Sequence, residues 1–175
     1  MVRVLLALVC LAAAVPAHAA PLSLGIEATI GSQHLGVNRA PGTTRDLSPM
    51  GDAGATVLLR AGPLMLGAAM EGNFSGSTLR RYNASALGGL ATDLLPVLRL
   101  ELLGEVGAAN LRSTSELRQA ASGGWNRFYG FRPGLSVKLP VLPFRVGAWG
   151  LARWGLPGAT RSPELGLLGR IGFEF

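Results

Sequence analysis

Wherever apolar and polar residues alternate along this chain, the charged side chains keep to a single parity. Leu98, Leu100, Leu102, Val106 and Ala108 take one parity, while Arg99, Glu101 and Glu105 take the other. Tyr129, Phe131, Leu135, Val137 and Leu139 stand against Arg132, Ser136 and Lys138, and Phe144, Val146, Ala148 and Trp154 stand against Arg145 and Arg153. The same separation sets Leu22, Leu24, Ile26, Ala28 and Ile30 against Glu27, and Leu64, Leu66, Ala68, Met70 and Phe74 against Glu71 and Asn73. At the end of the chain Leu165, Leu167, Ile171, Phe173 and Phe175 oppose Arg170 and Glu174. Successive side chains of a strand point to opposite faces. Each segment therefore has one greasy face and one face that must shelter ions.

Eight segments carry strand signals, at about 22–31, 52–61, 64–74, 84–94, 97–109, 129–139, 144–154 and 165–175. The fourth, rich in Ala and Gly, alternates least. Most are about ten residues long, the length a tilted strand needs to cross hydrocarbon. Three connections are short and marked by Pro63, Pro96 and residues 140–143. The other four, 32–51, 75–83, 110–128 and 155–164, are longer and hold turn formers such as Pro41-Gly42, Gly123-Gly124 and Pro157-Gly158. Short turns on one side, long loops on the other and an even strand number are the layout of a membrane-spanning antiparallel up-and-down β-barrel. The large side chains of the apolar faces would overfill an eight-strand interior, so the apolar face is expected outward. The competing arrangement is a soluble periplasmic barrel with its charges in water.

The N-terminus supports export. Arg3 precedes an apolar run over residues 4–15, and Ala17-His18-Ala19 forms a small-residue cleavage site, the pattern of a secretory signal cut after Ala19. The sole cysteine, Cys10, falls inside that signal, leaving a thiol-free domain over residues 20–175. Hydrophobic residues make up 49% of the chain, yet past the signal Pro and charges interrupt every run before it could span a membrane as a helix. Strands are the remaining way across.

The mature chain resembles the small eight-stranded bacterial outer-membrane barrels that include the OmpA transmembrane domain, OmpX and OmpW. The features that carry the likeness are the signal, the alternating segments, the turn and loop asymmetry and the closing Ile171-Gly172-Phe173-Glu174-Phe175. The resemblance implies an outer-membrane, Gram-negative, porin-like cell-envelope protein, a monomer, whose terminal Phe175 and Phe173 are read by the barrel-assembly machinery. Following the strand directions, Phe74, Tyr129, Phe131 and Trp154 fall toward the loops, and Phe144, Phe173 and Phe175 toward the turns. Two aromatic girdles are the ordinary dress of a lipid-facing barrel.

The charges divide into two sets. Arg60, Arg99, Arg132, Lys138, Arg145, Arg153 and Arg170 are expected inside, with Glu27, Asp52, Glu71, Asp93, Glu101, Glu105 and Glu174. Such groups persist in a lumen only when paired. Strand adjacency suggests Arg145 with Glu174, Glu27 with Arg170 across the closing seam, and Glu101 and Glu105 with Lys138 and Arg132. A filled, closed lumen is the ordinary outcome. A narrow ion or small-solute channel and a ligand-binding lumen are the alternatives. Arg39, Arg45, Arg80, Arg81, Arg112, Arg118, Arg127 and Arg161 are assigned to long loops, opposed there by Asp46, Glu116 and Glu164. Arginine binds phosphate bidentately, so Arg80, Arg81, Arg127 and Arg161 are candidate contacts to lipopolysaccharide phosphates. The alternative for them is a solvated loop surface.

The chemistry of an enzyme is thin. Hydrolases need a nucleophile, a base and an orienting acid, and His34 is the only histidine beyond the signal. It is placed in the first long loop near Ser32, Ser48 and Asp46. No metal-ligand cluster or phosphate-cradling glycine motif suggests a cofactor, and no basic-aromatic platform suggests nucleic acid. The reading is a structural or surface-interaction protein, not an enzyme, with a channel and a lipid-modifying enzyme as competitors.

Overall fold

A computed structural model describes residues 22–36, 47–73, 79–113, 124–139, 142–157 and 163–175. Eight strands follow one another: β1 (Leu22–Gly36), β2 (Leu47–Ala61), β3 (Leu64–Asn73), β4 (Leu79–Asp93), β5 (Leu98–Ser113), β6 (Asn126–Lys138), β7 (Phe144–Trp154) and β8 (Glu164–Glu174). Each pairs antiparallel with its neighbour in sequence, and β1 pairs with β8, closing the barrel. Closure removes every free sheet edge, the condition for strands in lipid, where no water satisfies an exposed amide.

All eight expected segments form strands, but several run further at the loop end. The β1–β2 ladder continues to Gly36 opposite Leu47, so the expected loop 32–51 gives up much of its length to strand. The expected loops 75–83 and 110–128 likewise lose residues to β4, β5 and β6. His34, expected in a loop, lies in β1 opposite Pro49. The reason is physical. Alternation reports a strand only while one face is apolar, and residues such as Ser32, Gln33 and Ser48 end that contrast, whereas the backbone ladder needs no apolar side chain. A strand of 15 residues reaches roughly 50 Å at about 3.3 Å per residue. That exceeds a membrane's apolar thickness even when tilted, so the longest hairpins project past the lipid.

At the other end the connections are tight. Gly62 turns β2 into β3 with a positive φ of 61°, a conformation that costs glycine little.

The outer wall is apolar. Leu22, Leu24, Ile26, Val57, Leu66, Leu100, Leu102, Val106, Val146 and Ile171 are exposed, whereas Arg99, Arg132, Arg145, Arg153 and Arg170 are buried. A contiguous apolar surface running round a barrel is far larger than water-exposed proteins carry, and it suits lipid. The soluble-barrel arrangement would reverse both sets.

The interior is not purely polar. Leu58, Met65, Ala69, Leu87, Ala91, Leu103 and Trp149 form a buried apolar cluster inside the barrel. They share parity with the charges: Leu103 falls between Glu101 and Glu105, and Trp149 between Arg145 and Arg153. A smaller cluster of Ala109, Phe128 and Leu156 lies toward the loop end.

A charge-filled lumen as the candidate functional site

Inward parity delivers the ionised side chains to the bore in tiers set by strand register. The turn-side tier is a chain of alternating charge. Arg60 reaches Asp93 at 2.8 Å, and Arg99 donates to Asp93 at 2.8 Å and grips both oxygens of Glu174 at 3.0 Å. Arg145 meets the same Glu174 at 2.6 Å through Nε, and Ser23 donates to it at 3.0 Å.

The middle tier surrounds an indole. Arg170 pairs with Glu27 at 3.1 Å across the β1–β8 seam and with Glu101 at 2.5 Å. Glu101 also accepts from Ser136 at 3.0 Å and from Trp149 Nε1 at 3.2 Å. The guanidinium carbons of Arg170 and Arg132 stand 4.2 Å and 5.5 Å from the Trp149 ring centroid, so cation–π attraction adds to the ion pairs. Gly134 makes room for this indole, because a Cβ there would lie 2.2 Å from Trp149 Cδ1.

The third tier is a closed square. Arg132 and Arg153 are each shared by Glu71 and Glu105: Arg132 to Glu71 at 2.8 Å and to Glu105, Arg153 to Glu71 at 2.6 Å and to Glu105 at 2.9 Å. Arg132 is wholly buried, at 0% exposure. Nearer the loops Arg81 makes a two-point pair with Glu164, at 2.8 and 2.5 Å. In the turn-side half of the bore the void bordered by Ser23, Glu27, Leu58, Met65, Arg99 and Glu101 measures about 10 Å³.

Of the expected interior residues, Glu27, Glu71, Arg99, Glu101, Glu105, Arg132, Arg145, Arg153 and Arg170 lie in these tiers, with Asp52 buried above them. Glu174 and Arg60 are half-buried toward the turn-side mouth, where Asp93 is partly exposed. The expected contacts Arg145–Glu174, Glu27–Arg170 and Arg132–Glu105 are present.

Two placements need correction. Lys138 does not enter the bore: it is exposed at the turn-side end of β6. Glu101 aligns with Gly134, four residues or roughly 13 Å further along β6, and so takes Arg170 instead. Arg81, expected as a loop contact to lipopolysaccharide, is buried in the lumen with Glu164. Because β4 begins at Leu79, parity governs Arg81, and it shares its face with Asn83 and Ser85. Arg80, of opposite parity, is exposed, as is Arg127. Arg161 and Phe74 lie outside the described residues.

On the outer wall Tyr129 stacks on Trp154 with centroids 5.6 Å apart, and Phe131 meets Trp154 edge-on at 6.1 Å. At the turn end Phe144 and Phe173 are 4.3 Å apart, and Phe173 and Phe175 6.2 Å. Sequence reasoning left out exposed Tyr82 and Trp125, which sit in stretches assigned to loops. It also left out Trp149, whose parity with Arg145 and Arg153 was the available signal. Among the described residues no group of three or more His, Cys, Asp or Glu side chains is placed to hold a metal ion.

No family model matches the sequence, and no curated protein does. Solved structures do. Neisserial surface protein A superposes with a TM-score of 0.60 at 8% identity, over 87% of this chain and 95% of that one. Ail, the attachment invasion locus protein of Yersinia pestis, gives 0.55 at 14% identity, over 89% and 99%. Its complex with the heparin analogue sucrose octasulfate gives 0.54 at 11% identity, over 89% and 99%. At such identities the likeness concerns backbone architecture, and it covers almost the whole of each relative. The chain has the closed, eight-stranded, up-and-down fold of the small bacterial outer-membrane barrels represented by these two proteins.

Proposed function

We propose that this protein is an integral outer-membrane barrel with a sealed lumen and a structural or surface-interaction role, exercised through its loop end. The observation that carries the reading is the inverted cross-section: exposed aliphatic residues around the wall and ion-paired arginines filling the bore. In this reading residues 1–19 are the export signal, the short turns face the periplasm, and Phe173 and Phe175 are recognised by the barrel-assembly machinery. The barrel works as a monomer.

The loop end meets anions. Arg80 and Arg127 are exposed there, and with Arg161 they contact lipopolysaccharide phosphates. Guanidinium groups bind phosphate and sulfate oxygens in the same two-pronged way, and the Yersinia relative is crystallised with a sulfated sugar. Its name also supports an attachment role for this chain.

Planar-bilayer recording of refolded protein tests the sealed lumen. We expect no steady conductance; reproducible open levels would replace this reading with a channel. For the loop end, lipopolysaccharide retained after mild detergent extraction should fall on combining Arg80→Gln, Arg127→Gln and Arg161→Gln. Unchanged retention would remove the phosphate contacts from the proposal.

A further inference from the structure

The turn-side mouth holds a cavity of about 500 Å³, lined by Ser23, Arg60, Asp93, Arg99, Lys138, Arg145 and Glu174 and by apolar Leu22, Pro96, Val97 and Phe175. Its size lies within the range of small-molecule sites, in contrast to the void of about 10 Å³ that adjoins it deeper in the barrel. Its groups are unbalanced in charge: four cations face the side-chain carboxylates of Asp93 and Glu174 and the terminal carboxylate of Phe175, an excess of one positive charge. Glu174 and Asp93 are already committed to Arg99, Arg145 and Arg60, so three guanidinium groups share two negative charges. Lys138 adds a fourth positive charge and has no ion-pair partner among the described residues.

The strand order gives the excess a geometry. Arg60 lies one residue before the end of β2 and Lys138 ends β6, and in a ring of eight strands these two strands are diametrically opposed. Arg99 and Arg145, both buried, form the floor between them. A ligand entering from the turn side meets cations on two facing walls and apolar side chains at the lip. The walls are low in dielectric and the floor is held rigid by its own ion pairs, which strengthens attraction for an incoming anion.

We infer that this vestibule is a binding site for small organic or inorganic polyanions bearing carboxylate or phosphate groups, held between Arg60 and Lys138. Its exposure to the periplasm rests on the orientation proposed above; its anion affinity does not, and detergent micelles test it without any orientation.

Refolded protein in zwitterionic micelles is titrated with citrate in one arm and pyrophosphate in another, with backbone amide NMR shifts as the readout. Saturable shifts are expected at residues of the mouth, including Lys138, Arg99 and Ser23, with at least one probe. The responding probe assigns the carboxylate or phosphate preference. Lys138→Gln, which removes no internal contact, should weaken binding several-fold, and Lys138→Gln with Arg60→Gln should weaken it at least tenfold. Arg80→Gln with Arg127→Gln, at the opposite end, should leave it unchanged. The site is overturned if neither probe saturates, if the shifts map to the loop end, or if folded Lys138→Gln protein binds both probes as tightly as the parent.

Discussion

Two clusters in this barrel use the same chemistry in different surroundings. The square of Glu71, Glu105, Arg132 and Arg153 lies deep in the bore, with every member almost fully buried. The chain of Arg60, Asp93, Arg99, Glu174 and Arg145 lies at the turn-side mouth, where the Asp93 side chain is 44% exposed. Distances in the two are alike, so geometry does not distinguish them. Desolvation does. In the square every ion is buried and leans on its partners, whereas at the mouth bulk water reaches Asp93 and Arg60 and can replace a partner lost there at small cost, although Arg99 and Arg145 stay buried. The deep cluster is therefore a structural plug, and the mouth is free to be adjusted for a ligand.

Substitution should break the two clusters unequally. The largest loss is expected for Arg153→Met, which leaves Glu71 and Glu105 sharing one cation. About 3–5 kcal/mol is the usual cost of orphaning a buried charge, measured as the urea midpoint of refolded protein in lipid vesicles. Adding Glu105→Met should restore part of that loss, because the two effects are coupled; strict additivity would mean the square is not a unit. Trp149→Ala comes next, at about 3 kcal/mol from lost contacts and the cavity left behind. A smaller drop would show that the cation–π shell contributes little.

Gly134→Ala should cost about 1–3 kcal/mol by overpacking against the indole, visible as a shift in the heat-dependent gel mobility of folded barrel. At the mouth, Asp93→Asn should change stability by less than about 1 kcal/mol. A loss as large as that of Arg153→Met would erase the contrast between the clusters. Last, Arg80→Gln should lie within about 0.5 kcal/mol of the parent, whereas its sequence neighbour Arg81→Gln, which strands buried Glu164, should not.

That last pair shows how far alternation can be read. Where both faces differ in polarity, as in 98–108 or 165–175, parity separated Arg99, Glu101, Glu105 and Arg170 from Leu100 and Ile171, and the narrowness of an eight-strand interior then put the charges inside. Where the contrast fades, toward the loops, Arg81 and Glu164 looked like loop residues although the ladder carries both into the bore. Lys138 failed for the opposite reason. Its parity is inward, but it stands at the last residue of β6, where the barrel ends and a long side chain turns to solvent. Trp149 and Leu103 were legible by parity yet passed over, since an apolar residue on a polar face carries no obvious label.

From the residues alone came the strand number, the closed membrane-spanning architecture and the side each charged face takes, because a period of two and the cost of an ion in lipid leave few other solutions. Which ions meet was decided only in three dimensions. Glu101 chose Arg170 over Lys138, Arg153 bridged to Glu71 from the far wall, and the mouth kept its surplus of cations. Strand stagger and the reach of each side chain across the bore settle such partnerships, and neither is written in the order of residues along a single strand.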